Sequence, residues 1–291
     1  MIILIAADME GISGVTNWNQ VDPKHAEYTR FRKIMTADVN AAIQGVFEAG
    51  ADEVVVTDGH GGGANILLEE LDPRARLNAG NDSPFSMVQG IEAGMDGVLF
   101  IGYHARAGSQ NGVLAHTWSA SRVANLWLND VLVGEYGLNG ALAGHFGVPV
   151  LMISGDQTAC AQAVELFGPL ETAIVKQATG FASAECLPLK TAHQLIREAA
   201  SRAVLRLKAG NIPEPFVVAA PVRVTIEFLQ PEFADRAVRL PSAKRLDGRR
   251  IEFVLPDMAA AHAGFRAAVN RHLIENCLQE RRGNDVRFRV L

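Results

Sequence analysis

Residues 2–10 read IILIAADME, in which six apolar residues lead directly into a segment that contains Asp8 and Glu10. A second run, EVVVT at residues 53–57, leads in the same way into the loop sequence DGHGG at residues 58–62. Short apolar runs that end in a carboxylate and glycines are typical of buried parallel strands that meet their loops. Because ligands bind at the carboxyl edge of an open α/β sheet, the two runs predict a ligand site there.

The two acidic residues after the first run are two positions apart, so in an extended segment their side chains point to the same side. Two carboxylates side by side repel each other unless a proton or a cation lies between them. His60, in the loop after the second run, reaches the same edge of the predicted sheet. We therefore interpret Asp8 and Glu10 as ligands of a cation.

The bulk composition excludes several classes of protein. The 291 residues are 48% hydrophobic and 20% charged, which is ordinary for a globular protein of one or two domains. The net charge of −5, without a basic block, argues against a nucleic-acid partner. No stretch approaches the roughly 18–20 apolar residues of a membrane span. The apolar start lacks the basic region of a signal peptide, so we expect a cytoplasmic protein without a membrane partner.

The cysteines agree with a cytoplasmic location. Cys160, Cys186 and Cys277 are odd in number, widely separated and without a CxxC motif. This pattern favours reduced, buried thiols over a disulfide framework.

Strand-like and helical segments alternate along the first part of the chain, which predicts an α/β fold with a mostly parallel central sheet flanked by helices. The later part reads as a smaller C-terminal α+β lobe, with strands at 216–228 and 250–255 and a helix at 258–278. We divide the chain into a catalytic metal-binding layer at 1–180, a connecting helix at 181–209 and the smaller lobe at 210–291.

Five candidate metal ligands fall near predicted strand ends or at a helix start: Asp8, Glu10, His60, His104 and Glu135. A mixed set of imidazole and carboxylate ligands suits zinc or a similar transition metal better than magnesium or calcium. Five ligands are more than one tetrahedral catalytic zinc uses, but they suffice for two ions if one carboxylate bridges. Two divalent ions and three carboxylates leave one positive charge, which a bridging hydroxide, the hydrolytic nucleophile, would neutralise.

His116 is a sixth candidate, in the sequence GVLAHTW at residues 112–118. It follows a loop that contains a glycine. We therefore assign it to proton transfer or to stabilisation of a developing oxyanion rather than to metal binding.

Each of these residues alone also has an ordinary structural explanation. Asp8 and Glu10 could form a solvated strand end, and the glycine-rich loop around His60 could be a flexible turn. His104 could be a hydrogen-bonded core histidine, and Glu135 a favourable acid in a first helical turn. Only the set as a whole indicates a metal site.

Several short motifs of the chain occur together in one known family. They are DMEGISG at 8–14, TDGH at 57–60, PFSMVQG at 84–90, GYHARA at 102–107, His116, GEYGLN at 134–139 and VPVLM at 148–152. As a set they resemble the DppA-type D-aminopeptidases, a family of zinc-dependent peptidases. The resemblance runs through the first two-thirds of the chain and more thinly to its end.

The resemblance implies a centre of two zinc ions per subunit, in which Asp8 bridges and Glu10, His60, His104 and Glu135 complete the ligands. It also implies that His116 is the catalytic residue. The family acts on short peptides with a free amino terminus, prefers D-residues such as D-Ala-D-Ala, and assembles into a ring-shaped homo-oligomer, a decamer of two pentamers.

The predicted function is therefore that of a zinc metallo-aminopeptidase that uses a hydroxide activated by two zinc ions. The preference for D-residues depends entirely on the resemblance, because spacing does not reveal the handedness of a pocket. Two alternatives stay open at this point. One is a cytoplasmic peptide-binding protein linked to dipeptide transport, and the other is a two-metal phosphoesterase, which uses the same types of ligand.

Overall fold

The computed structural model describes residues 1–80 and 82–270. It contains twelve strands and six α-helices, besides three single-turn 3₁₀ helices. In chain order they are β1 (Ile2–Ala7), α1 (Ala26–Glu48), β2 (Glu53–Asp58), β3 (Ala75–Asn78), β4 (Gly97–Ile101), β5 (Val123–Leu128), β6 (Val131–Val133), α2 (Glu135–His145), β7 (Val150–Asp156), α3 (Gln157–Phe167), β8 (Glu171–Gly180), β9 (Ser183–Cys186), α4 (Leu189–Lys208), β10 (Val222–Phe228), α5 (Pro231–Ala237), β11 (Lys244–Arg245), β12 (Arg250–Leu255) and α6 (Met258–Val269).

The first sheet has seven strands in the order β3-β2-β1-β4-β7-β8-β9, all parallel except the edge strand β9. Strand β1 lies between β2 and β4, with Ala7 opposite both Asp58 and Ile101. The carboxyl ends of these three strands are therefore level with one another. The predicted α/β fold with a mostly parallel sheet is confirmed.

Both faces of this sheet are covered, which explains why its central strands are continuous apolar runs rather than alternating ones. Ile3 and Ile5 pack with α1 and α4 on one face. Leu4 and Ala6 belong to the cluster on the other face, which includes residues of α2 and α3. Because all four side chains are fully buried, β1 forms the centre of the core.

The second sheet is antiparallel, in the order β11-β12-β10-β5-β6, and packs with α5 and α6 around its own apolar cluster. Strands β5 and β6 come from the region predicted as the catalytic layer. The chain thus leaves the first sheet after β4, adds β5 and β6 to the second sheet, and returns to the first layer of the fold with α2. This crossing is separate from the predicted division at residues 181–209. The division of the chain at residues 180 and 210 stays a prediction.

Two predicted elements differ in extent from the structure. The strand expected from residue 216 begins at Val222, directly after Pro221, which lacks the N–H needed for the strand ladder. The helix expected over 258–278 is seen from Met258 to Val269, and residues 271–278 lie outside the described part. None of the described helices is both long and apolar enough to cross a membrane.

The cysteines only partly match the expectation of buried thiols. Cys160 in α3 is a buried free thiol, as predicted. The prediction is wrong for Cys186, which is a free thiol exposed on β9 because that strand lies at the edge of the sheet. Cys277 lies outside the described residues.

Candidate metal centre

The carboxyl ends of three adjacent strands bring most of the predicted ligands together. Asp8 follows β1 directly, His60 follows β2, and His104 follows β4. The Asp8 N–H still donates to the carbonyl of Ile101 at 2.8 Å, so the strand pairing extends to this residue. Glu135 arrives from the second sheet as the first residue of α2. The parallel register thus explains the positions of Asp8, His60 and His104. Glu135 reaches the site because the chain passes through β5 and β6 of the second sheet before α2 begins.

Asp8 lies between two pairs, each made of one histidine and one glutamate. Its Oδ1 is 3.4 Å from His60 Nδ1, and its Oδ2 is 3.4 Å from His104 Nε2. His60 Nδ1 is 3.0 Å from Glu10 Oε2, and His104 Nε2 is 3.0 Å from Glu135 Oε1. All five residues predicted as ligands therefore meet in one place, with Asp8 at its centre.

The three histidines of the site share one hydrogen-bonding pattern. In each, the ring nitrogen away from the carboxylates donates to a main-chain carbonyl: His60 Nε2 to Val21 at 2.9 Å, His104 Nδ1 to Ala105 at 2.9 Å, and His116 Nδ1 to Leu114 at 2.8 Å. A carbonyl oxygen only accepts, so this nitrogen carries the proton. In a neutral ring the other nitrogen then presents its lone pair to the carboxylates. Such carbonyl contacts are one of the usual ways in which proteins orient metal-binding histidines.

The cluster requires a positive charge between its members. Asp8 Oδ2 and His104 Nε2 are buried and make no hydrogen bond within the described residues. Two lone pairs that face each other without a donor are unfavourable unless a proton or a metal ion lies between them. The mixed nitrogen and oxygen donors suit zinc, so the residues present fit the metal that the sequence predicts.

The pKa shifts of the cluster also indicate that a positive charge is favoured between its members. Burial lowers the pKa of His104, but the charge of Glu135 and then of Asp8 outweighs burial and raises it to about 10. His60 follows the same pattern, because Glu10 and Asp8 raise its pKa well above the usual value despite burial. Burial and the neighbouring charge of Glu10 raise the pKa of Asp8 to about 7. Without a metal, protons would occupy the space in which a cation fits.

His116 lies beside this cluster rather than between its carboxylates. Its ring stacks on His104 with 4.0 Å between the ring centroids and 9° between the planes, and its Nε2 is 3.5 Å from Glu135 Oε1. Burial, and then the charge of His104, lowers the pKa of His116. A neutral ring with a free lone pair at Nε2 suits proton transfer.

The same position would also allow His116 to bind a metal. The described residues contain two groups whose ligand atoms are close enough to share an ion: Asp8 with Glu10 and His104, and His104 with His116 and Glu135. The geometry is compatible with both roles for His116, and its catalytic role stays a prediction.

The backbone around His116 is strained. Leu114 has a φ of +50° and Trp118 a φ of +63°, values that residues other than glycine rarely adopt. Hydrogen bonds hold both residues: the Leu114 N–H donates to Phe181 O at 2.8 Å, and the Trp118 N–H donates to Glu135 Oε1 at 2.7 Å. Strained backbone persists where the surroundings impose it, often at functional sites. The loop is therefore built to hold the His116 ring in one position.

A cavity of about 210 Å³ opens over the cluster. Its lining includes Trp118 and also Arg266, which belongs to α6, a helix packed on the second sheet. This volume is below the roughly 300–1,000 Å³ of sites for drug-sized ligands, so the cavity fits a small molecule. Arg266 is not among the residues predicted from the sequence, although it is the only Asp, Glu, Lys or Arg residue within α6.

Comparison with known proteins gives consistent matches. A family model described as D-aminopeptidase matches residues 1–267. The chain is 37% identical to the D-aminopeptidase of Bacillus subtilis (strain 168) over 263 residues, which are 90% of this chain and 94% of that relative. A solved structure of the Zn-dependent D-aminopeptidase DppA from Bacillus subtilis, described as a self-compartmentalizing protease, matches with a TM-score of 0.89 and 35% identity. That match covers 94% of this chain and 98% of the solved one.

Proposed function

The chain belongs to the D-aminopeptidase family and is a zinc-dependent aminopeptidase, and we propose that its substrates are short peptides of D-residues with a free amino terminus, such as D-Ala-D-Ala. The observation that carries metal-dependent hydrolysis is the position of Asp8 between two histidine–glutamate pairs beneath a small cavity, whereas the preference for D-residues is supported by the family match. Family membership favours this function over the peptide-binding and phosphoesterase alternatives.

We further propose that the centre holds two zinc ions per subunit. Glu10 and His60 would hold one ion, His104 and Glu135 the other, and Asp8 would bridge them. The separate 3.4 Å approaches of the two Asp8 oxygens to the two histidines support this division. When bound, zinc supplies Lewis acidity, which polarises the scissile carbonyl and makes water ionise near neutral pH.

The role proposed for His116 is to move a proton at its Nε2 or to stabilise the developing oxyanion. Its Nδ1 is fixed as a donor to Leu114, so only Nε2 remains to accept a proton. Trp18 supports the ring from the side in an edge-on contact, with 5.4 Å between the ring centroids. The held ring and the lowered pKa together support a neutral group that accepts a proton during turnover.

The proposed substrate class is tested by metal removal and stereochemistry together. We expect zinc-loaded protein to release alanine from D-Ala-D-Ala much faster than from L-Ala-L-Ala, to lose this activity on chelation, and to regain it on return of zinc. Free alanine measured by chromatography gives both rates. Equal rates on the two dipeptides would contradict the preference for D-residues and leave the aminopeptidase activity intact.

The same assay separates the two alternatives. Binding of D-Ala-D-Ala without release of alanine would favour a peptide-binding protein. Hydrolysis of a chromogenic phosphate ester, without hydrolysis of the peptide, would favour a phosphoesterase.

Arg266 gives a reason for a preference for very short peptides. Its Nη1 donates to the main-chain carbonyls of Ser83 and Pro84, at 2.7 Å each, which holds the guanidinium in the cavity wall. A guanidinium is well suited to bind a carboxylate. We propose that it binds the carboxyl terminus of a dipeptide whose amino end lies at the metal centre.

The Arg266→Met variant tests this role. We expect the preference for D-Ala-D-Ala over its carboxamide, measured as a ratio of kcat/KM values, to fall about 10–100-fold, because a charge-assisted hydrogen bond contributes roughly 1.5–3 kcal/mol. The ratio is insensitive to a general loss of structure, which would slow both substrates. An unchanged ratio would exclude Arg266 from carboxylate binding.

We propose that the chain forms a homo-oligomer, and more specifically a decamer. The support comes from the solved relative, which is described as a self-compartmentalizing protease, and from the nearly complete coverage of both chains in that match. The cytoplasmic location stays a prediction.

A further inference from the structure

Lys176 in β8 is a buried lysine that the proposed mechanism does not use. Only 1% of it is exposed, and its Nζ donates to three main-chain carbonyls: those of Glu10 at 2.7 Å, Ile12 at 3.0 Å and Val15 at 2.8 Å. An ammonium has three N–H donors, and here each has an acceptor. All three acceptors belong to the loop that carries Glu10.

This loop, residues 8–15, is held from other sides as well. The N–H and hydroxyl of Ser13 donate to the buried carboxylate of Asp38 in α1, at 2.8 and 2.9 Å. Gly11 lies so close to the Tyr103 carbonyl that any Cβ there would overlap it. The loop therefore follows a path fixed by side chains from β8 and α1 and by the backbone after β4.

Lys176 acts on one part of the metal centre more than on the others. It contacts the carbonyl of Glu10 itself, so a shift at this carbonyl would move the Glu10 carboxylate relative to His60. Asp8 is held by the hydrogen bond from its own N–H to Ile101. His104 and Glu135 are attached to β4 and α2 and do not belong to this loop.

We propose that Lys176 is a positioning residue for the half of the metal centre formed by Glu10 and His60. By holding three carbonyls of one loop, it keeps the Glu10 carboxylate at the distance from His60 that a shared zinc ion requires. The half formed by His104 and Glu135 does not depend on it. This inference rests on the proposed two-zinc centre.

The test is a zinc titration of the Lys176→Gln variant against a chromogenic chelator, with elemental analysis of bound zinc. Wild type is expected to bind two ions. The variant is expected to keep one ion with wild-type affinity and to bind the second about 10–100-fold more weakly, the usual cost of removing a group that supports a metal ligand. A matched control is Lys208→Met, because Lys208 also donates to a main-chain carbonyl, that of Ala49, but lies outside this loop. The control should behave as wild type.

A double variant identifies the residue through which Lys176 acts. If it acts through Glu10, Glu10→Gln combined with Lys176→Gln should bind zinc as Glu10→Gln alone does, since coupled residues are not additive. Additive losses of zinc affinity in the double variant would overturn the proposal. So would an equally weakened affinity for both ions, or an unchanged affinity, in Lys176→Gln.

Circular dichroism of the metal-free proteins checks that the variants fold, and Lys176→Met serves as a second variant at the same position. If both variants are unfolded, the proposal is also overturned, because the lysine would then support the whole layer rather than one half of the site. Wild type that binds fewer than two ions would instead contradict the two-zinc function. The failure of the inference and the failure of the proposed function are thus distinguishable.

Discussion

The Asp8→Ala variant should lose both zinc ions and almost all peptidase activity. The reason is that the two carboxylate oxygens of Asp8 face different histidines, whereas an alanine side chain offers no ligand atom to either ion. Polarisation of a carbonyl by a bound metal contributes several kcal/mol, so we expect kcat/KM to fall by about 10³-fold or more. Elemental analysis and the rate of alanine release from D-Ala-D-Ala measure the two effects.

Glu10→Gln and Glu135→Gln are the matched controls for this experiment. Among the five proposed ligands, Glu10 lies beside His60 and Glu135 lies beside His104, so each variant should lose one ion and keep the other. If Asp8→Ala retained one tightly bound ion, Asp8 would not bridge. Asp8 would then ligate only the ion that the variant loses.

The His116→Ala variant should keep both zinc ions and lose turnover. General acid–base groups contribute about 10²–10⁴-fold to rates, and we expect a fall of this size in kcat with little change in zinc content. The expected retention of zinc follows from the position of the ring, which stacks on His104 rather than lying between the carboxylates of the centre.

The outcome also decides between the two roles that the geometry allows for His116. Its Nε2 is 3.5 Å from Glu135, close enough for both residues to bind the same ion. If the variant lost one ion, His116 would be a ligand, and the proton would have to be moved by another group. The His104→Ala variant provides the comparison, because it should lose zinc in either case.

Much of the site could be predicted from the sequence because of the parallel sheet. Apolar runs identify the buried strands, and in a parallel sheet the residues that follow neighbouring strands meet at one edge. This reasoning suffices for Asp8, His60 and His104, which follow β1, β2 and β4. It does not suffice for Glu135, whose place depends on an excursion of the chain that no local pattern reveals.

The residues that were missed are those that reach the site from distant parts of the chain. Lys176 comes from β8, and its hydrogen bonds to the loop at 8–15 span more than 160 residues of sequence. Arg266 comes from α6, which packs in the second layer. The contacts of Lys176 depend on the strand order within the first sheet, and the position of Arg266 depends on how the two sheets dock. The pairing of β5 with β10 could not be predicted for the same reason, because each strand alone shows only that it is a strand.

The excursion between His104 and Glu135 also sets an order of events during synthesis. Glu135 is linked to the second sheet through β6 and β5, and β5 meets its other neighbour, β10, only after residues 222–228 have been made. A nascent chain that has just exposed His104 therefore lacks the partner that this histidine needs. We therefore expect a chain that ends before residue 222 to lack peptidase activity, because β5 would have no partner on that side.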